Sequence, residues 1–184
     1  MENYHPLIDT RIEDLDTPCL TIDLDALESN YGIIAETYRS SVCKMRQHAK
    51  NIKCPPVLQM QMNAGGSVGG VCTAKTAEAE VMVDGGIDDI LITSQVTGND
   101  KLARICSLAK RADVKLTVDN PRNLRDLSEL AQEHGATVGV VIEVDTSMHR
   151  AGVRAVEQGV ELAKLATKLP GIAFKGVMSH QTLS

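Results

Sequence analysis

The feature that most constrains the fold of this chain is an alternation between short apolar runs and longer amphipathic stretches. The apolar runs are rich in β-branched residues, and the stretches between them have about 11 to 16 residues, as in the strand and helix units of a parallel sheet. Before the main series we predict one strand and one helix, at residues 19–24 and 24–40. The main series has six predicted strands, at residues 42–47, 70–74, 89–94, 114–119, 138–145 and 174–180, and five helices between them, at residues 57–66, 76–86, 99–112, 121–135 and 155–171.

Local signals mark several ends of the predicted helices. Asp25 and Thr76 are N-cap candidates, because their side-chain oxygens can accept a hydrogen bond from the first helical turn. Pro121 stands at a first helical position, where its missing N–H costs nothing. The four glycines of residues 63–71 lie between a helix and the next strand. We therefore interpret them as a helix end and a turn, since a phosphate-binding loop would follow a strand and open a helix.

Two α/β architectures fit this alternation, an open doubly wound sheet and a (β/α)8 barrel. A doubly wound sheet that binds a nucleotide carries a glycine fingerprint after its first strand, and none stands there in this chain. A complete (β/α)8 barrel typically needs about 250 residues. A chain of 184 residues would therefore form only part of such a barrel.

Charge and composition favour a small molecule as the main partner. The net charge is −5 and the pI is near 5.5, whereas nucleic acid or an anionic membrane surface would favour a basic face. Aromatic residues make up 2% of the chain, so platforms for base stacking are not expected. No stretch reaches the roughly 18 consecutive apolar residues of a membrane span. We expect no nucleic-acid partner and no membrane contact.

Cysteine usage and the N-terminal segment indicate a cellular compartment. The five cysteines form no Cys-x-x-Cys pair, and we interpret them as small buried hydrophobic residues under reducing conditions. The acidic N-terminal segment lacks the apolar stretch of a secretory signal. The expected location is the cytoplasm.

Polar residues at the carboxyl ends of the predicted strands are the candidates for a functional site, because a parallel barrel assembles its site there. Cations and a histidine crowd residues 46–53, a pattern that a solvated loop would also explain. The candidates from all the strands are Arg46, His48, Lys50, Lys75, Gln95, Asp119, Asn120, Asp145, Arg150, Ser179 and His180.

Five segments of the chain carry a family resemblance. They are residues 16–31, 46–50 ("RQHAK"), 69–96, 143–153 ("EVDTSMHRAGV") and 176–180 ("GVMSH"). Together they resemble the pyridoxal-phosphate enzymes of the alanine racemase fold type, and more specifically the D-threonine aldolase and D-serine dehydratase family. The order and spacing of the five segments are more specific than any one of them. The resemblance implies a (β/α)8 TIM barrel of the alanine racemase N-terminal type, with about six of its eight strands in this chain.

The resemblance implies that Lys50 is the residue that bonds covalently to pyridoxal phosphate as a Schiff base. A lysine nucleophile must lose its proton, so it needs partial burial or cationic neighbours. We expect Arg46, Lys53 and Lys44 to be those neighbours. Without the surrounding segments, Lys50 would be interpreted as a surface lysine.

Two further cofactor contacts are implied. Arg150 matches the arginine that hydrogen-bonds the phenolic oxygen of the cofactor, which suits a guanidinium facing a negatively charged oxygen. The alternative for Arg150 is an ion pair with Glu143 or Asp145 at a strand end. His180 matches a histidine that packs against the pyridine ring, and its alternative is a partly buried histidine at a strand terminus.

The chain departs from the family pattern at Ile52, where the family usually has histidine, and at Gln47, where proline is usual. In the family, the last two barrel strands supply the phosphate-binding loops. A C-terminal β-domain supplies a divalent metal site and a substrate-facing base, so the metal ligands are expected to be absent from these residues.

We accordingly divide the chain into residues 1–24, a segment and strand that would pair with that β-domain, and residues 25–184, a partial barrel that binds pyridoxal phosphate.

The resemblance implies a pyridoxal-phosphate-dependent lyase that acts on a small D-amino acid. The expected reaction is D-threonine aldolase-like cleavage of a D-3-hydroxy amino acid to glycine and an aldehyde, and a homodimer is a candidate assembly. A D-serine dehydratase and an amino-acid racemase are alternative enzymes. A non-catalytic protein that binds pyridoxal phosphate, or an inactive truncated fragment, is the alternative of another class.

Overall fold

A computed structural model describes residues 5–181 of the chain. A 3₁₀ turn (Ile12–Asp14) and helix α1 (Leu24–Tyr38) come first. The strands are β1 (Met45–His48), β2 (Ser67–Thr73), β3 (Asp89–Ile92), β4 (Asp113–Val118), β5 (Val138–Glu143) and β6 (Ile172–Met178). The helices between them are α2 (Pro55–Ala64), α3 (Thr76–Asp84), α4 (Asn99–Ala109), α5 (Pro121–Glu133) and α6 (Val156–Ala166).

The six strands form one parallel sheet in the order β1-β2-β3-β4-β5-β6. Each strand therefore pairs with the next one along the chain, as in a barrel wall. A doubly wound sheet would instead reverse its order at a switch point. The prediction of a partial (β/α)8 barrel with six strands is confirmed.

The apolar core lies between the sheet and the helices. One set of alternate strand residues faces the helices, since side chains along a strand point to opposite faces. This set is almost fully buried and includes Val71, Ile90, Ile92, Leu116, Val140 and Ile142. The helices contribute fully buried residues such as Leu58, Leu102, Ile105, Leu124 and Leu127. The other set of strand residues faces the barrel interior and carries the polar groups described below.

An ionic cluster fills the barrel interior near the amino ends of the strands. Arg46 donates to both carboxylate oxygens of Asp89, at 2.9 and 2.8 Å. Lys115 contacts Asp89 and Asp113, each at 2.7 Å. Burial of the Asp89 carboxyl opposes ionisation, but the hydrogen bonds from Arg46 and Lys115 outweigh it and hold the pKa of Asp89 below its ordinary value. The prediction that Arg46 lies among the functional residues at the strand ends is therefore wrong.

A glycine in β2 leaves the space that this cluster needs. A Cβ atom at Gly70 would overlap the carbonyl oxygen of Asp89 and lie 2.6 Å from Nη1 of Arg46. A Cβ atom at the neighbouring Gly69 would meet no atom within 4 Å.

Gly70→Ala is expected to lower the free energy of unfolding by about 1–3 kcal/mol, because the new methyl group overpacks the ionic cluster. Gly69→Ala is the matched control, because the same change there fills open space. Urea denaturation of both variants measures the difference. Equal loss in the two variants would show that the steric contact at Gly70 does not decide the effect.

Three local predictions in the first half of the chain are wrong. Residues 19–23 adopt no regular secondary structure, because nothing in the described part of the chain pairs with them. Helix α1 begins at Leu24, and its N-cap is Asp23, whose Oδ1 accepts from Ala26 N at 3.0 Å, rather than Asp25. Thr76 is the first residue of α3 instead of its cap, and its buried hydroxyl has no hydrogen-bond partner among residues 5–181. Pro121 does stand at the start of α5, as predicted.

The outermost strands β1 and β6 each have a free edge in the described part of the chain. Phe174 and Val177 of β6 are 36% and 68% exposed, and Leu20 in the N-terminal segment is fully exposed. The division into residues 1–24 and 25–184 stays a prediction. In residues 5–181, no helix is long and apolar enough to cross a membrane.

The cysteines only partly match the prediction of buried side chains. All five are free thiols, but Cys106 alone is buried, Cys54 and Cys72 are half-buried, and Cys19 and Cys43 are exposed. The two exposed cysteines lie in irregular segments that pack poorly against the barrel, which explains the difference.

Candidate functional site

Lys50 lies at the carboxyl end of β1, in a tight turn. Ala49 is fully buried, and its N–H donates to the Cys72 carbonyl at 2.7 Å, which continues the β1–β2 ladder by one residue. The turn closes where Lys53 N donates to Ala49 O at 2.8 Å. Lys50 stands in this turn with an exposed side chain at the rim of the barrel.

The histidine two residues before Lys50 links three strand ends. Nδ1 of His48 accepts from the Lys50 N–H at 3.2 Å, and Nε2 lies 3.2 Å from Thr93 Oγ1. The Thr93 hydroxyl donates to the Thr73 carbonyl at 3.1 Å. The ends of β1, β3 and β2 are thereby joined next to Lys50.

The expected cationic neighbours of Lys50 are engaged elsewhere. Arg46 is bound to Asp89, Lys44 donates to the Tyr38 and Arg39 carbonyls, and Lys53 lies 3.8 Å from Glu78. Each of these three cations thus has a partner of its own, and their action on Lys50 stays a prediction. At the end of β1, Lys50, Glu78 and His180 all influence the pKa of His48.

Arg150 lies in a loop after β5 that one buried carboxylate organises. The side chain of Asp145 is 2% exposed. Its Oδ1 accepts from the N–H groups of Ser147 and His149, at 3.2 and 3.0 Å, and its Oδ2 contacts His149 Nδ1 and Arg154 Nε, both at 3.2 Å. The His149 N–H is the chief cause that lowers the pKa of Asp145. Arg150 itself is exposed.

The loop also folds back onto the sheet. Val144 bridges to Val153, and the N–H of Gly152 donates to Asp119 Oδ2 at 2.8 Å. Gly152 has φ +99°, and a Cβ there would lie 2.6 Å from Asp145 N, so this position requires glycine. The alternative that pairs Arg150 with Asp145 is not what the structure shows, because Asp145 binds Arg154 instead.

Asp145→Ala is expected to release this loop, because four hydrogen bonds converge on the one carboxylate. Amide hydrogen exchange at His149 should accelerate, whereas Asp100→Ala, in the exposed first turn of α4, should leave it unchanged. Because the pKa of Asp145 is lowered on folding, its contribution is complete above the ordinary value of about 3.9 and is lost as the pH falls through the lowered value. An amide exchange rate at His149 that is the same in Asp145→Ala and in the wild type would contradict the role of Asp145 in holding the loop.

Two more polar groups lie at the strand ends. Glu143, the last residue of β5, is only 3% exposed, and its Oε2 accepts a hydrogen bond from Gln95 Nε2. His180 follows β6 and is half-buried. Glu143 was not among the strand-end candidates, although an acidic residue inside the apolar run "VGVVIEV" was a usable signal.

Comparison with known proteins identifies the family. The family described as alanine racemase, N-terminal domain, matches residues 22–184. The chain belongs to this family. A relative of the chain is 3-hydroxy-D-aspartate aldolase of Paracoccus denitrificans (strain Pd 1222). It is 40% identical over 169 residues, which are 91% of this chain and 43% of that protein. D-threonine aldolase of an Arthrobacter species is 36% identical over 166 residues, or 90% of this chain and 43% of that protein.

A solved structure supports the same relationship. The crystal structure of D-threonine aldolase from Filomicrobium marinum matches with a TM-score of 0.85 and 41% identity, and the match covers 90% of this chain and 44% of that one. The predicted resemblance is confirmed. The chain spans less than half the length of these relatives.

Several strand-end candidates have structural roles. Asn120 caps α5, since its Oδ1 accepts from Arg122 N at 2.8 Å. The Ser179 hydroxyl is hydrogen-bonded to Thr146, and Asp119 binds the N–H of Gly152. Lys75 is exposed at the start of α3. In residues 5–181, no three His, Cys, Asp or Glu side chains are grouped to hold a metal ion.

Proposed function

We propose that this chain is the cofactor-binding barrel part of a pyridoxal-phosphate-dependent lyase that cleaves a D-3-hydroxy amino acid to glycine and an aldehyde. The observation that carries the proposal is the position of Lys50 in the turn after β1, at the end of the barrel where Arg150 and His180 also stand. The aldolases named above, which match nine-tenths of the chain, support the reaction class.

The residues present fit one part of the cofactor. Lys50 has an exposed amine for covalent attachment, and Arg150 has an exposed guanidinium for the phenolic oxygen. His180 would lie beside the pyridine ring. Pyridoxal phosphate, when bound, acts as an electron sink for the bond that breaks at Cα of the amino acid. The glycine pair after α2 precedes a strand rather than opening a helix, so it does not offer the phosphate a helix N-terminus.

The roles of the surrounding side chains follow from their contacts. The His48–Thr93–Thr73 chain of hydrogen bonds fixes the backbone that carries Lys50. Asp145 and Asp119 fix the loop that carries Arg150. Gln95 donates to the buried carboxylate of Glu143 and thereby links the ends of β3 and β5. These are positioning tasks, which account for much of the effectiveness of an active site.

The reaction is tested by incubating the protein with pyridoxal phosphate, a divalent cation and D-threonine or D-3-hydroxyaspartate. Release of glycine and an aldehyde supports the aldolase. Release of ammonia and a keto acid supports a dehydratase, the second candidate, because D-threo-3-hydroxyaspartate dehydratase of Delftia sp. (strain HT23) is 32% identical over 90% of this chain. Binding of the cofactor without either product would leave a non-catalytic pyridoxal-phosphate protein.

Arg150→Ala is expected to keep the fold and to shift the visible absorption of the bound cofactor, because the phenolic oxygen loses its cationic partner. Cofactor affinity should fall about tenfold, the effect of one charge-assisted hydrogen bond. The control is Arg111→Ala at the far end of α4, where only an exposed ion pair with Asp84 is lost. Arg154 is unsuitable as a control, because it binds Asp145 in the same loop. Identical spectra for Arg150→Ala and Arg111→Ala would refute the contact.

A further inference from the structure

We propose that His48 is the positioning residue for Lys50, and that it holds the Lys50 turn only as a neutral imidazole protonated on Nε2. Protonation of His48 at lower pH would release the turn. Lys50 would therefore respond to pH through the titration of His48. The role of Lys50 as the residue that binds the cofactor rests on the proposed function. The pH dependence of the turn does not rest on it.

The hydrogen-bond directions define the tautomer. The Lys50 N–H is a donor, so His48 Nδ1, 3.2 Å away, must carry a lone pair. The Thr93 hydroxyl donates its single hydrogen to the Thr73 carbonyl, so its oxygen accepts from His48 Nε2. Both ring nitrogens are thereby assigned, with the proton on Nε2. An imidazolium would place a second N–H against the Lys50 N–H, and that contact would be lost.

The same hydrogen bonds explain why a histidine suits this position. Its ring reaches from the backbone of the Lys50 turn to Thr93 after β3, and Thr93 also holds the end of β2 through two bonds to the Thr73 carbonyl, from its N–H at 2.8 Å and from its hydroxyl. The turn is therefore anchored to the two strands beyond β1. Few side chains offer an acceptor and a donor at opposite ends of a rigid ring.

The charges around His48 favour the neutral form. Burial is the largest cause that lowers the pKa of His48, and the positive charge of Lys50 acts in the same direction. Glu78 from α3 opposes them, although it also pairs with Lys53, and His180 after β6 lowers the pKa further. Because the pKa is lowered on folding, the turn is fully held above the ordinary value of about 6.5 and is released as the pH falls through the lowered value.

Two substitutions separate the two ends of the ring. In His48→Asn, the Oδ1 atom can occupy the place of Nδ1 and accept from the Lys50 N–H, but the side chain is too short to reach Thr93. In His48→Gln, the amide Nε2 can occupy the place of the ring Nε2 and donate to Thr93, but no acceptor remains for Lys50. Neither substituted side chain titrates between pH 4 and 8.

The experiment follows amide hydrogen exchange at Lys50 by NMR, in the protein without added cofactor and across pH 5–8, corrected for intrinsic exchange. In the wild type, protection should fall about fivefold as His48 protonates, the factor that corresponds to one net hydrogen bond. His48→Asn should keep the protection at every pH, and His48→Gln should lack it at every pH. Nitrogen chemical shifts of the wild-type ring should show the proton on Nε2 at the upper end of the range.

A proton on Nδ1, or equal protection of Lys50 in the asparagine and glutamine variants, would overturn the proposal. The rate of covalent pyridoxal phosphate capture, followed by reductive trapping, is the second measurement. It should decline at low pH more steeply in the wild type than in His48→Asn. If exchange behaves as expected but no cofactor is trapped at Lys50, the proposed function fails and the role of His48 in the turn stands.

Discussion

Lys50→Ala is expected to abolish covalent attachment of pyridoxal phosphate, together with the visible absorption of the attached cofactor. The change removes the amine of the residue whose backbone N–H the His48 ring holds at the barrel rim. Stability should change by less than about 0.5 kcal/mol, because the Lys50 side chain is exposed. Loss of attachment in a protein that still folds would thus identify a chemical role. Borohydride trapping and peptide mapping are the direct measurements.

Lys53 provides the matched control for Lys50, because it lies three residues away and is also exposed. Its amine is 3.8 Å from Glu78, and its φ of 55° is in the left-handed region. Lys53→Asn is the suitable change, since asparagine tolerates that backbone conformation better than alanine. Attachment should persist in Lys53→Asn. Trapped cofactor on Lys53 in the wild-type protein would refute the assignment of Lys50.

The second large effect is expected in the assembly of the isolated 184-residue chain, which should self-associate. Unpaired edges such as those of β1 and β6 recruit other strands. Phe174 and Val177 add exposed apolar surface on β6, and burying such surface contributes about 25 cal/mol per Å². Size-exclusion chromatography with light scattering should find species larger than a monomer at micromolar concentration.

A charged side chain on the free edge should reduce this association, since natural proteins protect edges in the same way. Val177→Lys is the informative variant, because Val177 is 68% exposed and its replacement leaves the core intact. Lys168→Glu, on the exposed segment after α6, changes charge away from the edge and serves as a control. A wild-type chain that elutes as a sharp monomer, or association unaffected by Val177→Lys, would refute the role of the β6 edge.

Most of the barrel wall could be predicted from the sequence because its strands are buried on one face by helices and repeat at regular intervals. The runs "VKLTV" and "VGVVIEV" coincide with β4 and β5 almost residue by residue. Residues 19–24 show the limit of this method. Their β-branched, alternating pattern is typical of a strand, but a strand exists only where a partner strand supplies hydrogen bonds.

The site was predictable in part. Lys50, Arg150 and His180 are proposed from a family resemblance, because their motifs are short and contiguous, and their roles stay predictions. Arg46 was misplaced because it shares a strand face with His48 but lies two residues, or about 7 Å, nearer the amino end of the strand. Asp145 was among the strand-end candidates, but its task of organising the loop could not be predicted, since its contacts with Ser147, His149 and Arg154 depend on the folded loop. The role of Thr93 could not be predicted, because its contacts join it to His48 and Thr73, which are distant in the sequence.

The ionic cluster at the amino ends of the strands has a consequence for how β1 finds its place. This strand has four residues, and its pairing with β2 is irregular between Met45 and Gln47. Backbone hydrogen bonds alone therefore specify its alignment weakly. A slip of one residue would turn Arg46 toward the helices, and a slip of two would separate it from Asp89. The bidentate ion pair between Arg46 and Asp89 thus selects the register of β1 against β2. Because it fixes Arg46, it also fixes the position of Lys50, four residues later, along the barrel wall.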